Sequence, residues 1–152
     1  MSIDKEFNIW NNYDNSESQM LKDVGVELTI LKGLDMFTRA HVQGVANKTK
    51  AMCKKMKYSP EEAKECIIAA YLHDIGKIKI PPYVLQKTSS LTQDEYEIIK
   101  KHTVFGYEIC MEYKEFQKYA KIVRAHHENL DGTGYPDKLN FHRSEEHTSE
   151  LQ

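Results

Sequence analysis

Imidazole side chains recur on the apolar side of one helical segment after another, which obliges the folded chain to satisfy them together in its interior. His41 continues a stripe of Leu34, Phe37, Val45, Thr49, Met52 and Met56 at a period near that of an α-helix. His73 and Asp74 extend the next stripe, Ala63, Cys66, Ile67 and Ala70. His102 shares a face with Ile99, Gly106 and Ile109, while His126 and His127 follow Phe116, Tyr119, Ala120 and Val123. One histidine on an apolar face is usually a hydrogen-bonded core residue. Four segments that each bring imidazole, one of them with a carboxylate, point instead to a metal centre, because uncompensated polar groups are costly inside a protein. Adjacent pairs such as His73-Asp74 and His126-His127 project about 100° apart on a helix, so each pair can offer two ligands to one cluster. Imidazole combined with carboxylate suits Fe, Mn, Zn, Ni or Co rather than Ca or Mg.

The surrounding pattern is all-α, with about five helices. Leu21, Val24, Leu28 and Leu31 keep helical spacing, and the His41 stripe follows on a second helix. Ser59-Pro60-Glu61-Glu62 and Thr92-Gln93-Asp94-Glu95 are capping boxes that open the next two. Gly76 is expected to end the first of these, and Pro81-Pro82 to leave Lys77 to Ser90 as a structured loop with a short helical turn. A fifth helix runs from Phe116 through His127 and is stopped by Asp131-Gly132-Thr133-Gly134-Tyr135-Pro136. With 152 residues, the chain has room for one ordinary domain.

A formal charge of −2 gives no polyanion-binding bias, so a nucleic-acid polymer is not the expected partner. No apolar run approaches the roughly 20 residues a bilayer requires, and Met1 to Trp10 lacks the order of a signal peptide, so a cytoplasmic location is expected. Cys53, Cys66 and Cys110 are odd in number and set in apolar patterns, as reduced core thiols would be. Asp4, Asp14, Asp23 and the Lys54-Lys55-Lys57 run read as solvated surface.

Residues 1–18 are expected to be a loose leader or linker end, with the domain spanning 19–142. Arg143 to Gln152 are polar and aperiodic and, read back into codons, match the opening of a common short-read sequencing adapter. They are therefore expected to be non-native.

His41, then His73-Asp74-Ile75-Gly76-Lys77, His102, His126-His127-Glu128 and Asp131-Gly-Thr-Gly-Tyr-Pro136, in that order, closely resemble the HD-GYP subgroup of the HD phosphohydrolase superfamily. The resemblance spans about residues 34 to 139. It implies an HD-type helical bundle and a metal-dependent bacterial phosphodiesterase that hydrolyses cyclic di-GMP to the linear dinucleotide, with GMP as the product of a second cleavage. In that cast Asp74 bridges two divalent metals, taken first as Fe or Mn with Zn, Ni or Co as alternatives. His41 and His73 hold the first metal and His102, His126 and His127 the second. Lys77 meets a substrate phosphate, and Asp131, Gly132, Gly134, Tyr135 and Pro136 form a loop that shapes the pocket or meets a partner. Two neighbouring cations can align a water with phosphorus and neutralise charge on the attacking and leaving oxygens.

Some positions depart from the family pattern. A further aspartate for the first metal normally comes from a helix downstream of the loop, and here the adapter-like tail intervenes. A C-terminally truncated domain with little activity of its own is the expectation. Phe37 stands where three-metal members carry glutamate, which favours two metals. Asn129-Leu130 stand in place of a common Arg-Trp pair, and Lys138 in place of a common glycine. The alternatives are another HD-type nucleotide phosphohydrolase and a non-catalytic signalling module. The resemblance also implies an upstream sensor or receiver domain, or a partner signalling domain.

Overall fold

The computed structural model describes residues 31–140. The leader, the helix expected around Leu21, Val24 and Leu28, and the tail from Arg143 lie outside the described residues. The chain divides into two compact units between Gly33 and Leu34, and all the candidate site residues belong to the second.

That unit is helical and, among the described residues, contains no strand. Helix α1 (Met36–Lys55) starts at Asp35, whose carboxylate accepts from the Thr38 amide at 3.1 Å. It ends in a Schellman turn, with Tyr58 N–H donating to Cys53 O at 3.0 Å and Lys57 N–H to Lys54 O at 3.1 Å. Helix α2 (Pro60–Leu72) opens at Ser59 with the expected capping box, and a 3₁₀ turn (Ile75–Lys79) follows. The short α3 (Pro82–Leu85) begins on a proline, and α4 (Gln93–Lys100) on the second expected capping box. Helices α5 (His102–Glu112) and α6 (Ala120–Ala125) complete the set, with a 3₁₀ turn (Gln117–Tyr119) between them.

Helix α1 packs on α2, while α5 packs on both the 3₁₀ turn and α6. The core they share includes Val42, Ile68, Leu72, Ile75, Cys110, Phe116 and Val123, all buried. Cys53 is buried as well, Cys66 is half-buried, and all three cysteines are free, as expected.

Four sequence expectations change. On α1 the buried stripe is Thr38, Val42, Ala46 and Cys53, one position round from the expected one, and Phe37 is 75% exposed, with Met52 and Met56 exposed beside it. Small side chains on the buried face of α1 allow close helix approach, and the larger apolar residues face outward.

The helix expected from Thr92 through Ile109 breaks at Lys101 into α4 and α5, and the segment from Phe116 is a 3₁₀ turn before it is an α-helix.

Finally, α2 ends at Leu72, ahead of Gly76. Gly76 sits in the 3₁₀ turn because a Cβ there would lie 1.8 Å from the His102 carbonyl oxygen and 2.5 Å from the Gly106 nitrogen. Only a bare Cα lets the turn lie this close to α5, and that approach carries His102 up to Asp74.

Candidate metal centre

Most of the centre is assembled from helix ends. His73 is the residue on which α2 terminates, and Asp74 leads into the 3₁₀ turn. His102 is the first residue of α5, one step past the break after α4. His126 terminates α6, and His127 comes next. Only His41 lies in the body of a helix, on the outer side of α1.

These termini supply a common anchoring device. The last carbonyls of a helix have no intrahelical donor. His73 Nδ1 bonds to Ala70 O, His102 Nδ1 to Ile99 O at 2.7 Å, and His126 Nδ1 to Val123 O at 2.6 Å, each three residues back in the final turn of a helix. A carbonyl can only accept, so each Nδ1 carries the proton and donates it. Each Nε2 is left with a lone pair directed inward. A metal-binding histidine is commonly fixed in this way, with its second nitrogen committed to a carbonyl or carboxylate.

The carboxylate of Asp74, 2% exposed, lies at the focus. Its two oxygens face different partners. Oδ1 is 3.3 Å from His102 Nε2 and 3.5 Å from His126 Nε2. Oδ2 is 3.4 Å from His41 Nε2, 3.2 Å from His73 Nε2 and 3.2 Å from Lys77 Nζ. His127 joins the Oδ1 group: candidate ligand atoms of Asp74, His102, His126 and His127 lie within 4.8 Å of one another, as do those of His41, His73 and Asp74.

Burial pushes the Asp74 carboxyl up, but His102, His126 and His73, which donate to it when protonated at Nε2 in the absence of a cation, outweigh burial and hold the group well below the usual carboxylate range. Burial acts to lower His73, yet the hydrogen bond and charge of Asp74 raise it overall. His127 is lowered to about 4, first by burial and then by repulsion from His126 and His102, so its ring is neutral at pH 7.

The donor set fits a cation. His102 Nε2 and His126 Nε2 are 3.3 Å apart, and both Nδ1 protons are already donated to carbonyls. Two neutral imidazoles so arranged turn lone pairs on each other, and a positive charge between them relieves the repulsion. Nitrogen donors with one shared carboxylate are the ligands that transition metals favour.

The loop after α6 meets this cluster through Tyr135, whose ring stacks on His127 at 4.9 Å between centroids and 15° between planes. Asp131 instead turns into its own loop, accepting from the Thr133 amide at 3.0 Å. Gly134 is buried where a Cβ would meet the Asn129 nitrogen at 2.4 Å and His127 O at 2.5 Å. Gly132 takes φ +80°.

The side chains that fasten this loop were not expected from the sequence. Glu128 accepts from the Asp137 amide at 2.7 Å and the Leu139 amide at 3.0 Å. Arg124 pairs with both oxygens of Asp137, at 2.7 and 2.8 Å. The only sequence signal was the acidic residue directly after the histidine pair.

Residues 26–142 match the family model described as HD domain. Among curated proteins, the chain is 38% identical over 104 residues to the cyclic di-GMP phosphodiesterase response regulator RpfG of Xanthomonas campestris, covering 67% of this chain and 28% of that protein. It is 40% identical over 107 residues to a cyclic di-GMP phosphodiesterase of Thermotoga maritima, covering 69% and 29% respectively. It is also 38% identical over 104 residues to 3'3'-cGAMP-specific phosphodiesterase 2 of Vibrio cholerae, covering 67% and 20%. The aligned region thus spans less than a third of the length of each of these relatives.

Proposed function

The chain belongs to the HD domain family, in its HD-GYP branch, and on that premise we propose that the Asp74 cluster is the two-metal centre of a phosphodiesterase acting on cyclic di-GMP. The observation that carries this reading is the division of one buried carboxylate between two imidazole groups, Oδ1 toward His102 and His126 and Oδ2 toward His41 and His73. One metal would be held by His41, His73 and Asp74, the other by Asp74, His102, His126 and His127. Fe or Mn suits this mixture of nitrogen and oxygen donors, with Zn, Ni and Co as the next choices. Bound there, the pair would supply Lewis acidity and an acidified water for in-line attack on phosphorus.

The protein's own groups do the rest. The carbonyls of Ala70, Ile99 and Val123 hold three imidazoles in the tautomer that presents Nε2. Lys77, tethered to Asp74 Oδ2, is a flexible point charge beside the place where a phosphoryl oxygen would gather negative charge. The Tyr135 loop walls the side of His127. Relatives named for cyclic di-GMP and for 3'3'-cGAMP support cyclic dinucleotides as the substrate class. The response-regulator relative supports an upstream receiver or sensor in the encoded protein, working in the cytoplasm where such messengers act.

Mn²⁺-loaded chain is incubated with cyclic di-GMP and the products are separated chromatographically. Slow release of the linear dinucleotide is expected from this chain, and none with His126→Ala. A loaded chain that leaves cyclic di-GMP intact while cleaving a mononucleotide would instead favour the broader HD-type phosphohydrolase.

A further inference from the structure

Three of the five clustered imidazoles are fixed by a backbone carbonyl. His127 has no such bond among the described residues. Its ring neighbours His126 at 4.2 Å between centroids and 47°, His102 at 5.1 Å and 86°, and Tyr135 in a near-parallel stack. We propose that Tyr135 is a positioning residue that sets the plane of the His127 ring, so that its free nitrogen points toward Asp74 Oδ1. The inference rests on the metal-centre reading above.

The geometry suits the task. A stack only 15° from parallel restricts ring rotation about the Cβ–Cγ bond, which is the freedom a carbonyl bond removes in the other histidines. Tyr135 is itself tied to the segment it supports. Its amide donates to His127 O at 3.2 Å, and Gly134 presses directly against that same carbonyl. Glu128, adjacent to His127, holds the far arm of the loop through two amides, and Arg124 on α6 clamps the same arm through Asp137. Lys100 Nζ, 5.6 Å from the Tyr135 centroid, adds a cation–π contact from α4. The loop is therefore a brace that begins and ends at His127. Partners behind a metal ligand are typically worth about 10- to 100-fold in metal affinity.

The test titrates metal-stripped chain with Co²⁺ in a His41→Ala background, where the Oδ2 side is disabled and the visible absorption reports the Oδ1 side. Tyr135→Ala should weaken binding by about 10- to 100-fold and alter the Co²⁺ band. Tyr135→Phe, which keeps the flat ring and loses only the hydroxyl, should restore both affinity and spectrum. If the alanine variant fails to fold, Tyr135→Leu, which fills the space without a flat face, carries the same expectation. Unchanged affinity and spectrum in Tyr135→Ala or Tyr135→Leu would overturn the proposal, as would a phenylalanine variant as impaired as alanine. A His41→Ala parent that binds no Co²⁺ would overturn the metal-centre reading itself, which keeps the two failures distinct.

Discussion

The two sides of Asp74 differ in how much is organised before a cation arrives. On the Oδ1 side His102 is 1% exposed, His102 and His126 are each tied to a carbonyl, and His127, though exposed, is braced by the Tyr135 loop. Among the described residues, only His73 has a carbonyl anchor on the Oδ2 side. His41 stands on the outer face of α1 with its side chain 54% exposed, and the ammonium of Lys77 lies close to the same oxygen. The Oδ1 side presents four candidate ligand groups and the Oδ2 side three. A rigid donor set loses less freedom when it binds, and a neighbouring ammonium repels a cation. The Oδ1 side should therefore fill first and hold its metal more tightly.

Gly76→Ala should have the largest effect. A methyl group driven into the His102 carbonyl must push α5 away from the 3₁₀ turn, costing about 1–3 kcal/mol or more. It should spoil the Oδ1 side ahead of the Oδ2 side, seen as a lower midpoint in thermal unfolding and loss of the tighter phase in metal titration. Next come the paired deletions. His126→Ala should abolish the tight phase, whereas His41→Ala should remove only the weak one; calorimetric titration of both variants checks this.

Acid sharpens the contrast further. His73 is raised above its ordinary value, so as pH falls it takes up a proton early and competes with metal on the Oδ2 side. His127, at about 4, stays neutral well below that point. Metal should thus leave the Oδ2 side first on acidification, a stepwise release that metal analysis after dialysis at decreasing pH would record.

The smallest effect falls in the loop. Lys138 occupies φ +51°, a left-handed conformation that glycine adopts freely. Lys138→Gly should relieve that strain, less the greater freedom glycine has when unfolded, for a net gain of about 0.5 kcal/mol in denaturant unfolding.

Much of the centre was legible because imidazoles repeated in apolar stripes are costly to bury unless a shared cation compensates them. The structure brings these residues together, but on a different part of the helices from the one expected. His73-Asp74 and His126-His127 were expected to straddle helical faces, and they instead follow the last helical residues, where unpaired carbonyls are available to orient imidazole. Apolar periodicity cannot separate the last turn of a helix from the residues just beyond it.

On α1 the same periodicity selected Phe37 and Met52 over Thr38 and Ala46, because hydrophobicity favours large side chains where close helix packing favours small ones. The break at Lys101 carries no glycine or proline to announce it. Capping boxes are local and were read correctly at Ser59 and Thr92. The brace through Glu128, Arg124 and Asp137 was hidden because its partners are separated by 9 and 13 residues, beyond any local pattern.

In the proposed centre a single carboxylate joins two cations. Electron paramagnetic resonance of the fully Mn²⁺-loaded chain tests it most directly, since two Mn²⁺ ions sharing a carboxylate are magnetically coupled. A coupled-pair spectrum is expected in the wild type and should disappear in Asp74→Ala. Isolated six-line Mn²⁺ signals in the wild type at full loading, or a coupled pair that survives loss of Asp74, would contradict it.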